Sequence, residues 1–115
     1  MPRFVILEHD HPFPHLDFMI ESGDRLRTWR LLTPPAPGAT IAAKALGDHR
    51  KAYLDYEGPV SGGRGAVCRW DVGTFAAERE SADELRLQLA GVRVRGTVEL
   101  RRVDGDAWTW HWLPT

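Results

Sequence analysis

The sequence predicts a mainly all-β protein: a small antiparallel β-barrel with long loops and at most short helical turns. Three observations lead there. Apolar residues alternate with period two in segment after segment, as in Leu85, Leu87 and Leu89. Glycine, proline and aspartate punctuate the chain between those segments. No stretch holds a helical period over three turns, and many short strands hide their unpaired edges best by closing on themselves.

The elements follow in order. Pro2 to Glu8 (PRFVILE) is rich in β-formers. His15 to Glu21 (HLDFMIE) alternates, so that Leu16, Phe18 and Ile20 share one face and His15, Asp17, Met19 and Glu21 the other. Between them Asp10 to Pro14 form a turn, because two prolines remove ladder donors and hold the preceding residues extended. Ser22-Gly23-Asp24 is a second turn, and Arg25 to Leu32 a strand with Arg27, Trp29 and Leu31 on one side. Thr33 to Thr40 is a proline-rich loop. Ile41 to Leu46 is a short strand, Gly47 to Lys51 a loop, Ala52 to Tyr56 a short extended segment and Glu57 to Gly65 a glycine-rich loop. Strands then recur at Ala66 to Asp71, Thr74 to Glu78, Glu84 to Leu89, Val92 to Val103 and Trp108 to Leu113. There is no internal repeat. Trp108, Trp110 and Trp112 alternate, which reads first as barrel-interior packing and second as a stacking platform for bases. His111 then faces solvent, and Cys68, inside a strand, reads as a small buried hydrophobe.

The chain's 115 residues suit one domain spanning 1–115, long enough for a core without disulfides. Its single cysteine cannot form an internal bridge, and PRFVILEHD is no signal peptide, so the cytoplasm is the expected compartment. No apolar run approaches the roughly 20 residues of a membrane helix, so no membrane partner is expected. A net charge of −1 excludes nucleic-acid binding driven by bulk basic surplus. Any phosphate recognition has to be local. Lys44 and Lys51 are the only lysines among the cationic residues; the others are arginines, which suit bidentate phosphate contact.

The chemistry concentrates in His9, His15 and Asp17. If the Asp10 to Pro14 turn closes a hairpin, His9 faces His15 with Cβ atoms about 5 Å apart, and Asp17 lies one diagonal step away, about 7 Å. One ion about 2 Å from each ligand atom fits between them. Taken singly, each histidine reads as an ordinary surface or hydrogen-bonded residue; together on one hairpin face they read as metal ligands. His11 reads as a turn residue.

Further motifs accompany that hairpin. FVILEH runs from Phe4 to His9 and HLDFMIE from His15 to Glu21. Thr28-Trp29, Asp48, His49 and Tyr53, Tyr56-Glu57-Gly58, and Trp70-Asp71-Val72-Gly73-Thr74-Phe75 follow in order. This ordered set, over nearly the full length, resembles the 3′-phosphoesterase module of bacterial ATP-dependent DNA ligase D, and the chain reads as a free-standing, minimal, divergent member. The resemblance implies a small β-barrel with a groove, in which manganese, or zinc or cobalt, is held by His9, His15 and Asp17. It also implies that His49 contacts the phosphate or assists the leaving group, and that Tyr53 lines the site. The implied reaction removes a 3′-phosphate or a 3′-ribonucleotide from DNA or RNA–DNA ends in DNA repair. A DNA ligase or polymerase acting in trans is the implied partner.

Several positions depart from the family pattern. Met19 stands in place of an arginine, Leu7 of a glutamine, Ile41 of an arginine and Thr33 of a lysine, and the SGGRG segment is a shortened loop. On one account other arginines take over phosphate contact: Arg30, Arg50 or Arg64. On a second, the chain is a catalytically weakened, metal-containing module that binds nucleic acid or phosphate. A third, a cupin-like non-haem iron enzyme, normally draws its third ligand from a distant strand, whereas these three lie on one hairpin.

Overall fold

The structure, a computed structural model, describes residues 1–113. Nine strands follow one another: β1 (Arg3–His9), β2 (His15–Ser22), β3 (Arg25–Leu31), β4 (Thr40–Arg50), β5 (Gly58–Pro59), β6 (Ala66–Glu80), β7 (Glu84–Gly91), β8 (Arg95–Asp104) and β9 (Ala107–Trp112), with one 3-10 turn at Lys51–Leu54. All pairings are antiparallel, in the order β1-β2-β3-β4-β9-β8-β7-β6. β6 returns to pair with β1, so eight strands close into a barrel and β5 remains a short appendage on β6. The expected fold class is thus the observed one. Among the described residues no helix is long and apolar enough to cross a membrane.

Two apolar layers result. Inside the barrel, alternate residues of all eight strands meet, including Phe4, Phe18, Trp29, Leu87, Leu100, Trp108 and Trp110. Phe18 packs edge-on to Trp110 with centroids 4.7 Å apart, and Trp29 to Trp108 at 5.4 Å. The tryptophan stripe is therefore core at Trp108 and Trp110, with Trp112 half-buried at the rim. Outside the barrel wall a second cluster joins Val5, Leu7, Met19, Leu26, Leu54 and Val67. It explains why Phe4, Val5, Ile6 and Leu7 are all buried: β1 is covered on both faces, so its sequence is a continuous apolar run rather than an alternation.

Several elements differ from the sequence-based expectation. β4 runs to Arg50, so the expected Gly47–Lys51 loop is mostly strand; its glycine marks a bulge, not a break, since Leu26 of β3 faces His49 and Thr28 faces Leu46 with a register shift between. Residues 51–54 form a 3-10 turn instead of an extended segment. Residues 66–71 and 74–78 are one strand, because Gly73 makes no turn: a Cβ there would stand 2.1 Å from the Ala90 carbonyl oxygen, so the position serves close strand approach. Val92 lies in the β7–β8 connection and β8 starts at Arg95. That connection is fixed by the buried Asp71 carboxylate, which accepts N–H bonds from Val72, Val92, Arg93 and Val94 at 2.8–3.0 Å. His111 is half-buried rather than in solvent. Cys68 is exposed, since its side chain points away from the second cluster that its neighbour Val67 joins. Its thiol pKa is raised by desolvation and then by carboxylates, Glu8 foremost.

Candidate metal centre and cleft

The β1–β2 register sets His9 opposite His15 and Leu7 opposite Asp17. Period-two alternation then projects His9, His15 and Asp17 from the outer face of the hairpin, while Leu16 and Phe18 fill the barrel. One ligand atom from each lies within 4.8 Å of the others. His15 and Asp17 are buried and His9 is half-buried.

Both imidazoles are anchored through their outer nitrogens. A backbone carbonyl only accepts, so His9 Nε2–H donates to the Arg64 oxygen at 2.8 Å and His15 Nδ1–H to the Phe13 oxygen at 2.7 Å. In neutral rings the inner nitrogens therefore carry lone pairs. His9 Nδ1 stands 3.6 Å from Asp17 Oδ2, and His15 Nε2 stands 3.2 Å from the carboxylate, close to both oxygens. Asp17 Oδ1 is buried without a well-aligned hydrogen bond. Lone pairs facing a carboxylate repel unless the rings gain protons or a cation lies among them. Two anchored imidazoles and one hard oxygen are a donor set suited to a divalent transition metal.

The anchor on His9 comes from the glycine-rich loop, and the loop is itself tied down. Asp10 Oδ1 accepts the Ala66 N–H at 2.8 Å, and Gly65, at φ +73°, sits so close that a Cβ would stand 2.0 Å from that oxygen. Only glycine suits both the left-handed backbone and the close approach.

Beside the cluster opens a cleft of about 380 Å³. Leu7, Met19, Val60 and Val67 give it an apolar lining, with His9 and Asp17, His49 and Tyr53, and Arg25, Arg50 and Arg64 around it. The bulge at Gly47-Asp48 places His49, whose Nδ1–H donates to the Gly47 carbonyl at 2.8 Å and leaves Nε2 unengaged by protein. Tyr53, on the 3-10 turn, meets the His49 ring edge-on at 5.9 Å. Thus the cleft gathers six of the eight residues singled out from sequence. His15 lies behind its wall, and Arg30, cross-strand from Asp17, stacks over Phe13 at 5.3 Å and is not among the lining residues. His11 is exposed in the turn, as expected.

Arg25 was missed. It lines the cleft because β4 extends far enough for Arg50 to pair with it, and a β4 ending at Leu46 hides that pairing. Many arginines elsewhere pair with carboxylates, such as Arg79 with Glu84 and Arg102 with Asp83. Among the described residues Arg25, Arg50 and Arg64 have no carboxylate within ion-pair distance, so three guanidinium groups line the cleft against the two carboxylates of Asp17 and Asp48.

Comparison with known proteins gives a consistent picture. The family model described as DNA Ligase D 3'-phosphoesterase domain matches residues 7–102. The multifunctional non-homologous end joining protein LigD of Mycobacterium bovis is 33% identical over 119 residues, covering 96% of this chain and 16% of that protein. The corresponding DNA repair protein of Mycobacterium tuberculosis gives the same figures. LigD of Pseudomonas aeruginosa is 29% identical over 112 residues, covering 89% of the chain and 13% of that protein. The chain therefore spans a small fraction of the length of these relatives.

Proposed function

The chain belongs to the DNA ligase D 3′-phosphoesterase domain family, and from that membership we propose that it is a metal-dependent phosphoesterase removing a 3′-phosphate or 3′-ribonucleotide from DNA ends during repair. The observation that carries the reading is the convergence of His9 Nδ1, His15 Nε2 and the Asp17 carboxylate, with both outer ring nitrogens bound to carbonyls. Manganese suits this mixed nitrogen and oxygen set, with zinc or cobalt as substitutes. When bound, the ion supplies positive charge that neutralises phosphate oxygens.

The protein groups supply the rest. His49 presents Nε2 to the cleft, where it hydrogen-bonds a phosphate oxygen or, protonated, delivers a proton to the leaving 3′ oxygen. In the monoester reaction water forms a new P–O bond, the bond from phosphorus to the 3′ oxygen breaks, and that oxygen ends as a hydroxyl. Tyr53 braces the His49 ring. Arg64, on the loop that anchors His9, holds oxygens of the scissile phosphate, Arg50 contacts phosphate of the same strand at the cleft mouth, and Arg30, beside the cluster, adds positive potential from the other flank. DNA or RNA–DNA 3′ ends are the substrates, and a ligase or polymerase uses the 3′-hydroxyl product.

A second reading has one observation in its favour. Leu7 and Met19, where the resemblance leads one to expect polar and cationic groups, are buried in the cleft floor, which fits a module that binds metal and phosphate with weak turnover. One experiment decides. The protein and its His9→Ala variant are incubated with manganese and primer-templates ending in a 3′-phosphate or a 3′-ribonucleotide. Manganese-dependent product from the parent, lost in the variant, supports the phosphoesterase. Metal binding without product from either substrate refutes it and leaves the binding module.

A further inference from the structure

At the far end of the cleft from the hairpin turn, Arg25 of β3 and Arg50 of β4 are direct cross-strand partners, and both line the cavity. Like charges facing each other across an antiparallel pair destabilise it. Neither has a carboxylate partner among the described residues, although acidic groups are near. Glu21 is engaged by Lys51 at 3.1 Å and by the Arg3 N–H at 2.6 Å. Asp48 offers Arg25 its carbonyl, not its carboxylate: Arg25 Nη2 donates to that oxygen at 3.1 Å, which orients the guanidinium beside the strand carrying His49. Two arginines opposite one another in the ladder, neither paired with a carboxylate among the described residues and one of them oriented by a backbone carbonyl, form an anion site.

Depth separates this pair from the candidate metal centre. Asp17 and His15 are buried at the inner end, whereas Arg25 and Arg50 are exposed at the mouth. We propose that the Arg25–Arg50 pair binds a phosphodiester of the polynucleotide strand upstream of the scissile phosphate, so that the cleft recognises an oligonucleotide 3′ end rather than an isolated phosphate monoester. This rests on the phosphoesterase reading for the position of the scissile group, but its anion site stands on the arginine pairing alone.

The test compares the parent with Arg25→Gln and Arg50→Gln on a nucleoside 3′-monophosphate and on a 3′-phosphorylated oligonucleotide. The expected result is that each variant lowers the preference for the oligonucleotide, as the ratio of kcat/KM values, at least fivefold, mainly through KM. Equal losses on both substrates would assign the arginines to the scissile phosphate and overturn the proposal, as would no loss on either. If the parent turns over neither substrate, the activity reading fails and binding decides. Anisotropy of a fluorescent single-stranded oligonucleotide lacking a 3′-phosphate is then measured against salt. A log–log slope shallower by about one in Arg25→Gln supports the site, and an unchanged slope and affinity overturn it. Thermal melting at low salt adds a readout opposite to that of a structural arginine. Relief of the Arg–Arg repulsion leaves Arg50→Gln, unlike Arg25→Gln with its lost bond to the Asp48 carbonyl, at least as stable as the parent, and a lowered Tm of Arg50→Gln counts against the proposal.

Discussion

Gly65 and Asp17 show how single residues set the candidate centre. The Arg64 carbonyl that holds His9 is placed by a glycine with φ +73° pressed against Asp10. Gly65→Ala adds a left-handed non-glycine residue, costing about 1–2 kcal/mol, plus a clash that moves the loop. Losing an anchor on a ligand histidine typically lowers metal affinity about 10–100-fold. Calorimetric titration with manganese is expected to show that weakening; unchanged affinity in a destabilised variant would show the anchor to be dispensable. Asp17→Asn separates function from stability. On the proposed ligand set it removes the one anionic donor, so manganese binding is expected to be lost, yet without the ion it also removes a buried carboxylate set against lone pairs. The variant is therefore expected to match or exceed the parent by about 1 kcal/mol in chelator, and to lack the parent's stabilisation by added manganese. Urea unfolding with and without the ion checks both halves.

At the scale of elements, legibility followed how local the cause was. The β1–β2 hairpin was readable because alternation and a proline turn fix its register, and with it the meeting of His9 and His15. From sequence β6 reads as two strands because glycine usually signals a turn, whereas Gly73 answers to the Ala90 carbonyl of another strand. The same holds for β4: Gly47 marks a bulge, and the continuation that brings His49 and Arg50 to the cleft depends on β3. Arg25 stayed hidden because only that pairing gives it a partner. Asp71 looked like one member of a motif, but its carboxylate accepts four backbone N–H groups and pins the β7–β8 connection to β6. Asp71→Ala leaves these buried donors unpaired and is expected to cost about 3–5 kcal/mol, with Asp71→Asn recovering part. Denaturant midpoints measure it, and a loss under about 1 kcal/mol would contradict the pinning role.

At the scale of the molecule, closure of the barrel lets the cleft lie on its outside wall: the interior is filled by side chains, and the β1–β2 face is covered by a second layer that residues 51–54 help to form. That outer segment carries Tyr53 and is held by charge as well as by Leu54. Asp55 pairs with Arg3, and Lys51 pairs with Glu21, which also accepts the Arg3 N–H. The Arg3 guanidinium holds the Asp55 carboxyl below its ordinary pKa. Desolvation pushes Glu21 up, but the Arg3 N–H and Lys51 together outweigh it and leave that carboxyl lowered as well. A carboxyl with a depressed folded-state pKa contributes stability that is complete above its unfolded value and lost as pH falls through the folded one. The pairs are exposed, so their contribution to global stability is small. The effect is therefore expected first in the segment they hold. Between pH 7 and 5 hydrogen exchange of residues 51–55 should keep constant protection once corrected for intrinsic rate, and below about pH 4 it should fall before the barrel strands lose theirs. Protection that rises on acidification, or falls together with that of β7 and β8, would show that packing of Leu54 alone holds the segment.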